Sequence, residues 1–248
     1  MEVVIKSGIV RIGEGGILVI GDGIPPHTPP SSAPVFSGEG TDSGVGDINI
    51  NVASTFTTGD LVFALISSND ASTGFTLDTP TAGTSGAWTT LFNGTPNDGT
   101  VKVALFSKVA TANDSSIVTF TGTDEVSHIT TAEIYKVPTA SHNVIDPSTD
   151  VTVENASGSL TATGTFPAIT VPNSNRLFYL AGYIGNNGNA FTPEPPPGLS
   201  LINVNGISNA VGRAYDVTDQ NTPGLKPSFD VSFATANATF VFFAVAYP

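Results

Sequence analysis

The sequence predicts an all-β fold: an antiparallel β-sandwich, jelly-roll-like, built from two pseudo-repeated halves and preceded by a short β-rich arm. Three observations carry this. Short apolar runs rich in branched and aromatic residues recur between clusters of Gly, Asn, Asp and Thr, too short for ordinary helices. Charged residues make up only 12% of the 248, against a usual ~25%, while Gly 26 and Pro 18 punctuate the chain, a sheet-and-turn composition. Finally, the order of runs in the first half returns in the second.

The central runs are Asp60 to Ser68 (DLVFALISS) and Arg176 to Ile184 (RLFYLAGYI), both read as buried central strands. After the first come AWTTLF (Ala87 to Phe92), VKVALFSKV (Val101 to Val109), SIVTFTG (Ser116 to Gly122) and ITTAEIYKVP (Ile129 to Pro138). After the second come LSLINV (Leu199 to Val204), AVGRAYDV (Ala210 to Val217), PSFDVSF (Pro227 to Phe233) and TFVFFAVAYP (Thr239 to Pro248). Aligning Leu61 with Leu177, Val109 with Val217 and Pro138 with Pro248 gives offsets of 116, 108 and 110 residues, which argues for related halves, 35–138 and 155–248. Each half opens on shorter strands, around Asp47 to Val52 in one and at Ser159 to Gly164 and Ala168 to Val171 in the other. Strands that alternate in polarity at this spacing point to stacked antiparallel sheets. The connector Thr139 to Glu154 lacks the composition of a flexible linker, which favours one compact body over two tandem sandwiches.

Residues 1–23 form a segment of their own. Val3, Val4 and Ile5, then Ile9, Val10 and Ile12, then Ile17, Leu18, Val19 and Ile20 make three β-prone runs separated by glycines. Strands this short leave backbone edges unpaired, which leaves three routes, packing on the main body, pairing with identical segments in an oligomer or adding to the sheet edge of another protein, and the last two are expected. Residues 24–34 (IPPHTPPSSAP) follow as a proline-rich spacer that, at ~3.1 Å per residue, spans on the order of 30 Å. The body occupies 35–248.

A formal charge of −13 repels phosphate backbones and anionic lipid, which speaks against nucleic acid and membrane partners. No apolar run approaches the ~20 residues of a bilayer-crossing helix, and the N-terminus does not read as a secretory signal. With Cys 0 there is no disulfide or thiolate chemistry.

Candidate chemistry is sparse. His27, His128 and His142 are scattered; Asp124, Glu125 and His128 cluster in sequence, but a solvated turn explains them before a metal does. Asn93 to Gly99 and Asn186 to Asn189 lack the ordered spacing of a calcium loop. The glycines at 13, 15, 16 and at 38, 40, 44, 46 lack the helix start and lysine of a phosphate loop. No Gly-x-Ser-x-Gly elbow is present. Glu133 interrupts the strand ITTAEIYKV on the face of Tyr135; it is read as an outward side chain paired with a neighbouring lysine rather than as half of a glycosidase pair. Trp88, Tyr183 and Tyr215 are the candidates for stacking on sugar rings if they face outward. No catalytic, cofactor or metal residue is assigned, and the chain is expected not to be an enzyme.

From Asp60 onward the pattern resembles β-sandwich proteins encoded by tailed bacteriophages. The features carrying the resemblance are DLVFALISSND, AWTTL, VKVALFSKVA, SIVTFTG and TTAEIYKVP, echoed by NRLFYLAGYIG, GLSLINV, GRAYDVTD and TFVFFAVAYP. It covers roughly residues 36 to 248 and supplies no site residues. It implies a virion structural role on the outer capsid surface, as a decoration or cement protein; the arm lies outside the resemblance, and together the two readings give a dimer or trimer expected to dock through that arm on the major capsid protein or another virion protein. The alternative it implies is a fibre or receptor-binding module recognising host glycans.

Overall fold

The computed structural model describes residues 34–69, 76–77, 81–82, 88–96, 101–112, 114, 117–123, 127–138, 146–172, 176–185, 199–207, 210–217, 224–232 and 238–248. These belong to one compact unit, Ser31–Pro248. The proposed arm, 1–23, lies outside the described residues, as does the spacer apart from Pro34.

The described residues are all strand and connection. In chain order the strands are β1 (Val35–Val45), β2 (Ile48–Ala53), β3 (Leu61–Ser68), β4 (Thr76–Leu77), β5 (Thr81–Ala82), β6 (Thr89–Gly94), β7 (Lys102–Val109), β8 (Ile117–Thr123) and β9 (Ser127–Val137). Then follow β10 (Thr152–Thr161), β11 (Thr163–Phe166), β12 (Ile169–Val171), β13 (Arg176–Gly185), β14 (Leu199–Ile207), β15 (Ala210–Val217), β16 (Gly224–Lys226), β17 (Phe229–Ser232) and β18 (Ala238–Tyr247). Every pairing is antiparallel.

Two five-stranded sheets form the middle of the body. The first runs β1-β9-β3-β7-β6 and the second β10-β18-β13-β15-β14. Written by position within each half, the two orders are the same: the opening strand at one edge, the closing strand beside it, the long apolar strand in the centre. A small sheet, β2-β8-β4 with β5 also on β8, accompanies the first; two ribbons, β11-β17 and β12-β16, accompany the second.

Three cores show how these layers stack. Ile48, Ile50 and Val52 of β2 and Val118 and Phe120 of β8 pack on Val62, Ala64 and Ile66 of β3, joining the small sheet to the first large sheet. Leu61, Phe63 and Leu65, on the opposite face of β3, meet Phe178 and Leu180 of β13 and Phe243 and Val245 of β18, joining the two large sheets. Phe242, Ala244 and Ala246 of β18 and Tyr179 and Ala181 of β13 meet Phe166, Ile169, Val171 and Val231, joining the second large sheet to its ribbons. The body is therefore two sandwiches fused back to back, and both large sheets are covered on both faces. That is why β3 is buried at all eight positions, where a sheet with one wet face would alternate.

The shared middle core is closed by rings, with Phe63 and Phe178 at 5.0 Å, Phe92 and Phe243 at 5.2 Å, and Phe178 and Tyr247 at 5.9 Å between centroids. At Gly182 the large sheets approach closely: a Cβ there would lie 2.6 Å from Ser67 Oγ and 2.8 Å from Val103 Cγ1, so no larger residue fits without movement.

Candidate functional site

Polar groups buried in the first half are the places where chemistry has to be sought, because each must be matched by a specific partner. Two sets stand out, one on each face of the first large sheet.

The first set surrounds Glu133. Register places Glu39 of β1, Glu133 of β9 and Leu65 of β3 in one row across the sheet. Glu133 is only 1% exposed, and the Tyr135 hydroxyl donates to its Oε2 at 2.5 Å. The expected outward glutamate paired with a lysine is thus corrected. Alternation does put Glu133 and Tyr135 on one face, but that face is the shared core with the second large sheet, so it has no solvent side. Lys136, on the opposite face, donates instead to the Thr55 carbonyl at 2.6 Å and lies 4.0 Å from Asp60 Oδ2. Glu39 sits at the exposed edge, and its partial desolvation there raises its carboxyl above the ordinary glutamate range. Two carboxylates opposed in register would repel if both were ionised. Glu133, however, is closed off from any substrate by the packed sheets.

The second set lies where β7 leaves the sheet. Lys108 Nζ is 2.5 Å from Asp114 Oδ1, and the two side chains are 3% and 1% exposed. Asp114 Oδ2 accepts from the Thr111 backbone N–H at 2.6 Å and from Thr111 Oγ1 at 3.3 Å. The Trp88 ring stands with its centroid 5.5 Å from Lys108 Nζ. Next to this, Asp60, 2% exposed, accepts from Thr57 N–H through Oδ2 at 2.8 Å, while its backbone carbonyl accepts from Ala110 N–H at 2.8 Å. A Thr-x-x-Asp turn thus folds its carboxylate back onto the last residues of the strand that precedes it.

Trp88 does not face outward: it is 7% exposed, packed into the first sandwich, and its indole Nε1 is buried without a hydrogen-bond partner. It therefore offers no platform to a sugar ring. Tyr215 sits opposite Tyr179, and Tyr183 opposite Val211 and Phe240, so the two positions are four residues apart along the β13–β15 ladder rather than side by side; their side chains lie outside the described residues. Among the described residues no group of three or more His, Asp or Glu is placed to hold a metal. Asp124, Glu125 and the side chain of His128 lie outside them.

The sequence reading passed over Lys108, Asp114, Thr111 and Asp60. Simple alternation along VKVALFSKV puts Lys108 on a face with Lys102, Ala104 and Phe106. The available signal was a lysine on the same face as two core residues, followed within six positions by Thr111-x-x-Asp114. No family model, curated protein or solved structure matches the chain.

Proposed function

We propose that this protein is a non-enzymatic structural component of a larger particle, a capsid decoration protein whose N-terminal runs, Val3 to Ile5, Ile9 to Ile12 and Ile17 to Ile20, dock on the shell while the stacked body is displayed outward. One observation carries the reading: Glu133 and Trp88, the glycosidase and sugar-stacking candidates of the first half, are spent on packing at 1% and 7% exposure. A body that spends these two groups on its cores acts as a displayed solid, and attachment then falls to the β-prone segment outside it. The resemblance to tailed-phage sandwich proteins supplies the kind of particle. Weak docking by such a segment suffices when many copies occupy one lattice.

Co-sedimentation with capsid shells tests this. Removing residues 1–30, or placing aspartate at Val10 and Leu18 in the full chain, leaves the β-sheet circular dichroism unchanged and abolishes attachment. Attachment that survives both changes overturns the proposal, and glycan-dependent binding by the body in its place establishes the receptor-binding alternative.

A further inference from the structure

The Lys108–Asp114 pair has a geometry that an ordinary ion pair does not require. Three conditions for amide formation meet in one place. The nucleophile and the carboxyl are in contact at 2.5 Å, both nearly inaccessible to water. The oxygen that stays behind, Asp114 Oδ2, is already held by two donors of Thr111, one of them a fixed backbone N–H. The Trp88 ring lies beside the amine and belongs to the adjoining core.

We propose that Lys108 and Asp114 condense into an intramolecular isopeptide bond, a self-modification that staples the crossover from β7 in the first large sheet to β8 in the small sheet. The atoms balance without an oxidant or co-reactant. A proton passes from the Lys108 ammonium to Asp114 Oδ1 along their contact, leaving a neutral amine and a carboxylic acid. Nζ then attacks Cγ, and the charge that develops on Oδ2 is stabilised by the Thr111 donors as in an oxyanion hole. A second proton moves from Nζ to Oδ1, the Cγ–Oδ1 bond breaks and water departs. Oδ2 becomes the amide oxygen and keeps its Thr111 hydrogen bonds. Burial favours the product in two ways: it removes two charges from a low-dielectric site, and it withholds the water that would reverse the reaction.

The test uses the full chain. Under denaturing conditions its intact mass is expected to be lighter than the residue sum by one water, and a tryptic digest to show no cleavage after Lys108 but a branched peptide joining it to the segment holding Asp114. Asp114→Asn forms the same amide by losing ammonia, so its product has the same mass as the cross-linked parent; Asp114→Ala has its full residue-sum mass. A parent chain of full mass that is cleaved normally after Lys108 overturns the proposal. So does a branched peptide joining any other pair, such as Lys136 with Asp60.

Discussion

Between the first large sheet and its small sheet the core is mostly aliphatic, Ile48, Ile50, Val52, Val62 and Ile66 around Phe106 and Phe120. Between the second large sheet and its ribbons it is a column of rings. Phe242 stacks on Phe166 at 4.3 Å and on Phe240 at 4.2 Å, and Phe229 and Tyr179 close the column at 5.0 Å from each other. The strand order is the same on both sides. Yet the aliphatic sandwich also carries the buried charge, Lys108, Asp114 and Asp60, whereas the polar group that Tyr179 brings to the core of the other is a hydroxyl. The difference teaches that pairing order constrains only which positions face inward. Flat rings fill the space over short two-stranded ribbons, and a true small sheet leaves its rim free to hold ionic partners.

If ring stacking is the chief support of the second sandwich, truncating the ring at its centre is the strongest way to break the comparison. Phe242→Ala removes a fully buried side chain with stacked neighbours on two sides, and a cost of ~3–5 kcal/mol is expected. Ile50→Val, which trims the aliphatic core by one methylene, is expected to cost ~0.5–1.5 kcal/mol. Urea unfolding of the two variants gives the contrast; equal midpoint shifts would show that the ring column relaxes around the gap.

A smaller effect separates the halves by pH. Burial pushes the Tyr179 hydroxyl up to about 12 from its ordinary 10.0. The folded state thus holds the neutral phenol, and the stabilising contribution is complete below pH 10 and lost as pH rises through about 12. Two pKa units correspond to about 2–3 kcal/mol. Tyr179→Phe is therefore expected to flatten the alkaline limb of the stability profile in that window and leave neutral pH almost unchanged. An alkaline limb identical in the variant would place the sensitivity in another group.

The contrast between the sandwiches was only partly legible in the sequence. Runs such as VKVALFSKV and AVGRAYDV fall on β7 and β15 almost to the residue because long alternating or apolar runs have no competing conformation. The opening strand β1 carries no apolar signal, because between Phe36 and Val45 it holds only glycine and polar residues. Gly38 and Gly40 are there because the strand lies against β2: a Cβ at Gly38 would stand 2.3 Å from the Ala53 carbonyl oxygen, and one at Gly40 2.6 Å from Ile50 Cγ2. A strand that gives up its side chains to a close neighbour loses the hydrophobic signature by which strands are found. The first three residues of β10 likewise fall within the connector Thr139 to Glu154. Glu133 failed for a different reason. Alternation assigns two faces correctly but cannot say that both are covered, since that depends on a second sheet whose strands, β10 onward, all come later in the chain. The Lys108 site was hidden by the same limit, because a lysine on an apparently mixed face reads as solvated until the layer above it is known.

The smallest expected effect sharpens the comparison at the seam between the halves. Ser67 Oγ is buried without a hydrogen-bond partner, and Gly182 of the opposite sheet leaves it room. Removing such a hydroxyl relieves its desolvation penalty and opens a void of one atom, so Ser67→Ala is expected to lie within ~1 kcal/mol of the parent, on the stabilising side. Gly182→Ala alone is expected to cost ~1–3 kcal/mol, because its methyl meets both Ser67 Oγ and Val103 Cγ1. The double variant should cost less than the sum of the two, because deleting the hydroxyl clears the nearer of the two obstacles to the new methyl. Chemical denaturation of the four proteins in the cycle measures this coupling; strict additivity would mean that the sheets move apart at Gly182 rather than repack, and that the seam is softer than either sandwich it joins.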